Sequence, residues 1–138
     1  SVSVNGMVCG SIKSGLLVYL ANTESDSETD IEYIVNKIIH LRIFSDKEGV
    51  MNRSVIDCNG SLLLVSQFTL YGDARRGRRP GYSAAAPAKI AKPLFDSAVE
   101  KFRNTGLMVS TGIFQADMLV NSENDGPVTI LIDSKKQF

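Results

Sequence analysis

Hydroxyl and amide side chains directly follow one of the most apolar runs of the chain. The segment has the sequence SLLLVSQFTL, so Ser66, Gln67 and Thr69 surround the flat ring of Phe68. Proteins that mix helices and strands bind ligands at the ends of buried strands. Residues 66–69 are therefore candidate catalytic residues, and Phe68 offers a surface for stacking. An ordinary strand whose polar side chains face outward is the alternative.

Four arginines follow within five positions of the chain. Arg75, Arg76, Arg78 and Arg79 lie in DARRGRRPG, among the glycine and proline residues that are typical of loops. Guanidinium groups match phosphate oxygens in shape and charge, so the cluster predicts contact with a nucleic-acid backbone. A solvated loop with salt bridges is the alternative. Fifteen basic and fifteen acidic residues give a net charge of zero, which excludes a globally basic nucleic-acid binder but not a local one.

A third candidate is the dipeptide Gly126-Pro127, within NSENDGPVTILID near the C-terminus. Proline has no N–H and is normally kept out of central strands. Bonds before proline are the only ones that adopt the cis form at a meaningful rate, roughly 5–6% in folded proteins. A rigid Gly-Pro at the head of a strand could aim two carbonyls at one point. A plain turn is the alternative.

The sequence contains too few histidine and cysteine residues for several common catalytic and metal-binding arrangements. His40 is the only histidine, and Cys9 and Cys58 lie far apart. A Ser-His-Asp or Cys-His arrangement would have to use His40, whose position at the end of a predicted helix favours a structural role. No phosphate-binding glycine motif occurs. We predict no metal and no cofactor, so an enzyme built from these residues works with backbone amides, hydroxyls or groups of its substrate.

Hydrophobic spacing predicts one mixed α and β domain over residues 1–138. The predicted helices are residues 27–40, with a Ser27–Asp30 capping box, and residues 93–105, with Pro93 at the first helical position. Hairpins are predicted at Asn5-Gly6 and around SDKEG. The runs GLLVYLA and SLLLVSQFTLY are predicted to be strands buried on both faces, and LMVSTGIF, ADMLV and VTILID to be further strands.

The composition is typical of a globular protein, with 43% hydrophobic and 22% charged residues. No apolar run approaches the ~20 residues needed to span a bilayer. Two distant thiols without a visible signal peptide favour a reducing, cytoplasmic location. The chain opens inside a strand-like pattern without Met, so we expect a first N-terminal strand to be lacking.

Taken together, the motifs resemble those of the D-aminoacyl-tRNA deacylases, also called D-tyrosyl-tRNA deacylases. SQFTL completes an S-Q-x-x-L motif and NDGPVT completes an N-x-G-P-x-T motif, with RRGRRPGYSAAAP and FQADM between them in the family's order. The chain departs from the family in three places. A strand of the type M-R-x-V-x-Q-R-V is absent ahead of SVSVNG, Gln115 stands where members commonly have Gly near the terminal adenosine, and Pro93 replaces a helix former.

The resemblance implies a fold and an assembly. The fold would be a mixed α/β one, with a curved, barrel-like, mostly antiparallel sheet and two main helices, forming a two-fold homodimer. The Gly126-Pro127 bond would be cis, and its loop would enter the active site of the other subunit, where backbone carbonyls exclude an L side chain. By the same resemblance, the substrate-binding residues would be Phe114, Met118, Asn124 and Thr129.

The resemblance also implies a reaction, which is hydrolysis of the ester that joins a D-amino acid to the 3′ end of tRNA. Main-chain donors near Ser66, Gln67 and Phe68 would hold the oxyanion, and the ribose 2′-hydroxyl would assist the water. Thr69 as a covalent nucleophile is the alternative. Phe68 or Phe114 would stack on the terminal adenine, and the four arginines would hold acceptor-stem phosphates.

Two other functions remain open from the sequence. One is a non-enzymatic nucleic-acid-binding module that uses the arginine loop from Arg75 to Arg79. The other is a deacylase that acts on glycyl-tRNA mischarged on tRNA(Ala), because a filter that rejects only L side chains admits glycine.

Overall fold

The computed structural model describes residues 1–137. Two α-helices, eight strands and one short 3-10 helix follow each other along this part of the chain. In order, they are β1 (Val2–Val4), β2 (Met7–Gly10), β3 (Gly15–Leu20), α1 (Glu28–His40), β4 (Phe44–Ser45), β5 (Met51–Arg53), β6 (Ser61–Ser66), the 3-10 helix (Phe68–Tyr71), α2 (Ala88–Asn104), β7 (Met108–Thr111) and β8 (Leu119–Val120).

The sheet that carries the site is parallel. β6 lies between β3 and β7, and both neighbours run in its direction. The smaller sheets are antiparallel, with β1 between β2 and β8, and β4 paired with β5. The expected mixed α/β fold with two helices and antiparallel sheets is confirmed, whereas the barrel-like curvature is not supported, because no sheet within residues 1–137 closes and the longest ladder is the parallel one. Strands joined through α1 and α2 must return in the same direction, which produces parallel pairing.

Strand β6 is buried on both faces, as its apolar run predicted. Leu62 and Leu64 belong to the large core that includes the inner faces of both helices. Leu63 and Val65 point the other way and pack with Val2 of the antiparallel sheet. Successive side chains of a strand alternate between faces, so one strand contributes to two cores.

The prediction of a strand buried on both faces was confirmed only in part for β3. Leu16 and Val18 pack against the large core and Leu17 against the small one, but all three are only partly buried. This strand lies at the edge of the parallel sheet, and Leu20 is its only buried residue. Two apolar strands of six residues each therefore occupy the centre and the edge of one sheet, and hydrophobicity alone does not distinguish the two positions.

Helix α1 begins as predicted and α2 does not. Ser27 and Asp30 form the capping box, in which the Ser27 N–H donates to Asp30 Oδ2 at 2.9 Å. Helix α2 begins at Ala88, so Pro93 lies inside the helix rather than at its first position. A proline there leaves the carbonyl of Lys89 without its usual N–H donor. Both Lys89 and Pro93 are exposed, so water can replace that donor.

The C-terminal segment differs from its prediction. VTILID was expected to be a strand, yet within residues 121–137 no strand forms. Ile130 and Leu131 are 51% and 71% exposed, whereas Ile132 packs against the large core. Lys135 Nζ then reaches Asp30 Oδ1 at 2.5 Å. A strand needs a paired neighbour, and residues 1–137 provide none for this segment.

Neither α1 nor α2, the two α-helices among residues 1–137, has the length and hydrophobicity that a membrane-spanning helix requires.

Candidate functional site

The site begins where the central strand ends. Ser66 is the last residue of β6, and the Gln67 N–H donates to the Leu20 carbonyl of β3 at 2.9 Å. The chain then turns into the 3-10 helix, whose first two amides, those of Phe68 and Thr69, donate to no acceptor within residues 1–137. Main-chain donors near Ser66, Gln67 and Phe68 were expected to hold the oxyanion, and of these the Gln67 N–H is already used by the sheet. The unused amides lie one and two residues later.

The hydroxyl of Thr69 has an amide donor and no base. Gln67 Nε2 lies in short hydrogen-bonding contact with Thr69 Oγ1. Within the described residues, no histidine, lysine or carboxylate hydrogen-bonds to that oxygen. A covalent nucleophile needs a group that accepts its proton. The local geometry therefore orients the Thr69 hydroxyl without activating it.

Phe68 is exposed and contacts a ring that sequence reasoning missed. Its side chain is 56% exposed, and its centroid lies 5.2 Å from that of Tyr82 at an interplanar angle of 72°. This is the edge-to-face geometry that aromatic pairs favour. The available signal was the position of Tyr82 directly after the arginine loop, in RRPGYS.

The arginine loop is a closed loop, defined here as residues 73–81. Asp73 and Gly81 exchange backbone hydrogen bonds of 2.8 and 2.9 Å at its base. Asp73 accepts from Arg75 through Nε at 2.8 Å and Nη2 at 2.7 Å. This pairing lowers the pKa of Asp73 well below its usual range and raises that of Arg75.

The other three arginines of the loop are exposed and have no acidic partner within residues 1–137. They are Arg76, Arg78 and Arg79. The structure therefore divides the predicted cluster into one arginine that is paired inside the loop and three that are available to a polyanion.

A second turn follows the neighbouring strand β7. Because β6 and β7 are parallel, their carboxyl ends share one edge of the sheet. Phe114 is half-buried, 6.0 Å from the ring of Phe95 and below the ammonium of Lys92 at 5.9 Å. Gln115 adopts a left-handed φ of 62°, a conformation that glycine adopts without strain. Met118 is half-buried against the small core beside Val2. Of the two rings proposed for stacking, Phe68 is the more exposed.

The Gly126-Pro127 bond is cis, as the resemblance implied. Gly126 has a φ of 124°, which side-chain-bearing residues rarely adopt, and a Cβ there would lie 3.0 Å from Val128 Cγ2. Asn124 braces the turn, since its Nδ2 donates to Thr129 Oγ1 at 3.1 Å and its Oδ1 accepts from the Val128 N–H at 3.3 Å. Asn124 and Thr129 were expected to bind substrate and here bond each other. Within residues 1–137, no hydrogen bond joins this turn to residues 66–69.

No group of three or more His, Cys, Asp or Glu side chains in the described part of the chain is arranged to hold a metal ion. His40 lies at the end of α1, where its Nδ1 hydrogen-bonds to the Asn36 carbonyl at 2.9 Å, away from the residues above. The chemistry available at the site is therefore that of main-chain amides, hydroxyls and exposed guanidinium groups.

Comparison with known proteins identifies the family. A family model described as D-Tyr-tRNA(Tyr) deacylase matches residues 1–133. A D-aminoacyl-tRNA deacylase of Thermosipho melanesiensis is 57% identical over 100% of this chain and 93% of its own length. One of Syntrophomonas wolfei is 54% identical over 99% of this chain and 92% of its own.

Solved structures agree in fold. A c-Myc DNA unwinding element binding protein superposes with a TM-score of 0.88 at 37% identity, covering 94% of this chain and 89% of its own. A probable eukaryotic D-amino acid tRNA deacylase superposes with a TM-score of 0.67 at 19% identity, covering 88% of each chain, and this match supports the fold alone. The SQFTL and NDGPVT motifs agree with the match over residues 1–133 and with the relatives at 54–57% identity, and the chain belongs to the D-Tyr-tRNA(Tyr) deacylase family.

Proposed function

We propose that this chain is a hydrolase that cleaves the ester bond of D-aminoacyl-tRNA and releases the D-amino acid and free tRNA. The observation that carries the proposal is the similarity to D-aminoacyl-tRNA deacylases, 54–57% identical over nearly all of both chains. An ester at the 3′ end of tRNA is an activated bond, so hydrolysis needs oriented donors more than a strong side-chain base. The unused amides after β6 are such donors.

In the proposed reaction, a water oxygen attacks the ester carbonyl carbon. The carbonyl oxygen becomes an oxyanion, which the amides of Phe68 and Thr69 stabilise. The water gives up a proton as it attacks, with the substrate's 2′-hydroxyl positioned to relay it. The bond to the 3′-oxygen then breaks, and that oxygen leaves with the proton. Thr69 keeps the alternative role of nucleophile, which its lack of a nearby base disfavours.

Selection against L-amino acids falls to the Gly126-Pro127 turn, whose carbonyls would accept the substrate amino group. Rejection by clash tolerates many side chains on the permitted side. Glycine has no side chain to clash, so we expect mischarged glycyl-tRNA to be a substrate as well.

The filter would act in trans, within a two-fold homodimer. Two features support this part of the proposal. Within residues 1–137, the turn has only local hydrogen bonds, and the segment after it exposes Ile130 and Leu131 and has no strand partner. Exposed apolar side chains beside an unpaired backbone favour an intersubunit contact.

The test has two measurements. One is the rate of hydrolysis of matched D- and L-aminoacyl-tRNA, and the other is the oligomeric state of the protein. We expect turnover of the D ester, little turnover of the L ester and a dimer by sedimentation at micromolar concentration. A chain that binds tRNA but leaves the D ester intact would contradict the proposal. A fully active monomer would remove the trans filter and leave the reaction standing.

A nucleic-acid-binding module is the second candidate function. Three exposed arginines that have no acidic partner in the described part of the chain favour it, as does the similarity at 37% identity to a protein described as a DNA unwinding element binding protein. Retention of RNA or DNA without turnover of any aminoacyl ester would favour this candidate. Turnover of the D ester would instead favour the deacylase, in which the arginines bind the tRNA part of the substrate.

A further inference from the structure

Tyr82 lies between the two regions that the proposed deacylase would use. On one side is the 3-10 helix that carries Phe68 and Thr69, and on the other is the arginine loop, which ends at Gly81. Tyr82 follows Gly81 directly, and its ring meets that of Phe68 edge to face with a centroid separation of 5.2 Å. One side chain therefore joins the base of the arginine loop to the exposed ring of Phe68.

The main chain is shaped to admit this ring. A Cβ at Gly72 would lie 3.1 Å from Tyr82 Cε1 and 3.0 Å from the Thr69 carbonyl oxygen. The φ of Gly72 is −64°, which any residue adopts, so glycine at this position provides space rather than an unusual backbone. Tyr82 thus lies against the end of the 3-10 helix as well as against Phe68.

The loop base is fixed on both sides of Tyr82. Before it, Asp73 and Gly81 close the arginine loop with two backbone hydrogen bonds. After it, the Ala85 N–H donates to the Tyr82 carbonyl at 3.1 Å, and the Ala86 N–H donates to the Asn22 carbonyl at 2.8 Å. The backbone of Tyr82 is therefore held, so its ring can restrict the rotation of Phe68.

Phe68 needs such restriction because it is 56% exposed. A free phenyl ring samples several rotamers, and fixing it on binding would cost entropy. A perpendicular neighbour limits that motion and leaves at least one face of Phe68 open to a base.

We propose that Tyr82 is a positioning residue that holds Phe68 in place to stack on the unpaired 3′-terminal base of the substrate, while the adjoining loop contacts the phosphates. This inference rests on the proposed function. Tyr82 touches no reacting atom in this role. Its hydroxyl makes no hydrogen bond within residues 1–137, so the ring alone carries the effect.

The test compares two RNA minihelices that differ only in the terminal adenosine of a single-stranded ACCA end. Stacking on an aromatic side chain strengthens binding roughly tenfold or more per base. We expect wild type to bind the complete minihelix about tenfold more tightly at fixed ionic strength. Tyr82→Ala should bring this ratio close to one, and Tyr82→Phe should keep it.

Three further variants make the test specific. Gly72→Ala should lower the ratio by less than Tyr82→Ala does, because its methyl group would lie 3.1 Å from Tyr82 Cε1 and shift the ring without removing it. Arg78→Ala should weaken both minihelices equally and leave the ratio unchanged. Tyr33→Ala removes a tyrosine on α1, outside the site, and should change neither affinity.

A full adenosine preference in a folded Tyr82→Ala protein would overturn the inference, as would a wild-type ratio near one. An equal loss of affinity for both minihelices in Tyr82→Ala would also overturn it, since that result indicates a general structural role. Hydrolysis of D-aminoacyl-tRNA by wild type is measured separately, so failure of the positioning role and failure of the deacylase are distinguishable.

Discussion

The two halves of the candidate site are anchored very differently. Residues 66–69 continue directly from β6, whose Leu62 and Leu64 are fully buried, and Gln67 still bonds to the neighbouring strand. The Gly126-Pro127 turn follows the two-residue strand β8, and among residues 1–137 Asn124 alone braces it through side-chain hydrogen bonds. One half is fixed by the core, and the other is fixed by its own local bonds.

The difference separates two tasks. Donors that stabilise an oxyanion must be in place before the reaction, and a core strand provides that rigidity. A chirality filter only has to occupy the space that an L side chain would need. A stiff local turn can occupy that space whether it belongs to the same subunit or to a second one. We therefore expect substitutions in the turn to act through the placement and selection of the substrate, and substitutions after β6 to act through the rate of the chemical step.

Gly126→Ala is expected to have the largest effect. The φ of 124° is unfavourable for alanine, and its Cβ would lie 3.0 to 3.2 Å from atoms of Val128. We expect kcat/KM for D-aminoacyl-tRNA to fall by roughly a hundredfold or more. The control is Gly49→Ala, at a φ of 79° in the β4–β5 turn with open space around it. It should be fully active, and equal losses in both variants would show that the effect is general unfolding.

The next prediction concerns the half formed by residues 66–69. It uses a substrate whose terminal adenosine lacks the 2′-hydroxyl. If that hydroxyl relays the proton of the attacking water, its loss should lower kcat roughly a hundredfold, the scale of general acid-base catalysis. KM should change little, since no binding group of the protein is altered. Single-turnover kinetics on the 2′-deoxy and natural esters would measure the difference. Unchanged rates would assign proton transfer to the protein.

Much of the first half could be predicted from the sequence. An apolar run that ends in SQFTL indicates a buried strand with polar groups at its exit, and β6 confirms this. The use of the Gln67 amide by Leu20 could not be predicted, because it depends on which strand lies beside β6. The Tyr82 contact was missed for a similar reason. It depends on the closure of the arginine loop, which brings together residues fourteen positions apart.

The second half was predicted less well. The cis bond was expected from the NDGPVT motif and is present. The strand expected after it is absent, because edge pairing depends on a neighbour that residues 1–137 do not supply. The predicted start of α2 was also wrong. Pro93 matches the pattern of a first helical residue, but the helix begins at Ala88, and the N–H groups of Ile90 and Ala91 both donate to the Pro87 carbonyl.

Thr69→Ala separates orientation from covalent catalysis. Without a base at its hydroxyl, Thr69 contributes one hydrogen-bonding group beside Gln67. Its loss should lower kcat about tenfold, the equivalent of ~1.4 kcal/mol. Loss of a true nucleophile would cost several orders of magnitude. A dead Thr69→Ala protein with normal tRNA affinity, and acyl-enzyme trapped in wild type, would replace the water mechanism with the covalent one.

Replacing Arg78 and Arg79 together should affect binding alone. We expect KM to rise severalfold and kcat to stay constant, because phosphate contacts stabilise ground state and transition state equally. The slope of log KM against log salt should fall by about 1 to 2. Arg103→Ala, an exposed arginine at the end of α2, is the matched control. A collapse of kcat at constant KM would mean that the loop acts on the reacting centre.

The smallest effect is expected for substitution of Asp30, whose ion pair with Lys135 links helix α1 to the C-terminal segment. This carboxylate accepts from the Ser27 N–H and from Lys135, and the ion pair with Lys135 is the main cause of its lowered pKa. Asp30→Ala removes the cap and the ion pair, and should lower the free energy of unfolding by about 1 kcal/mol with unchanged kcat. Asp30→Asn keeps an oxygen for the cap and should lose less.

The pH dependence of this effect has a definite sign. A pKa lowered by folding contributes stability above the unfolded value of about 3.9, and the contribution is lost as the pH falls through the folded value. The difference between wild type and Asp30→Ala in urea should therefore be constant from pH 7 to about 5 and shrink at more acidic pH. Protein concentration must be held constant, since dimerisation would change the midpoint. A large fall in discrimination between D and L esters in Asp30→Ala would show that the filter depends on the Asp30–Lys135 ion pair. The two halves of the site would then be coupled, although different parts of the structure support them.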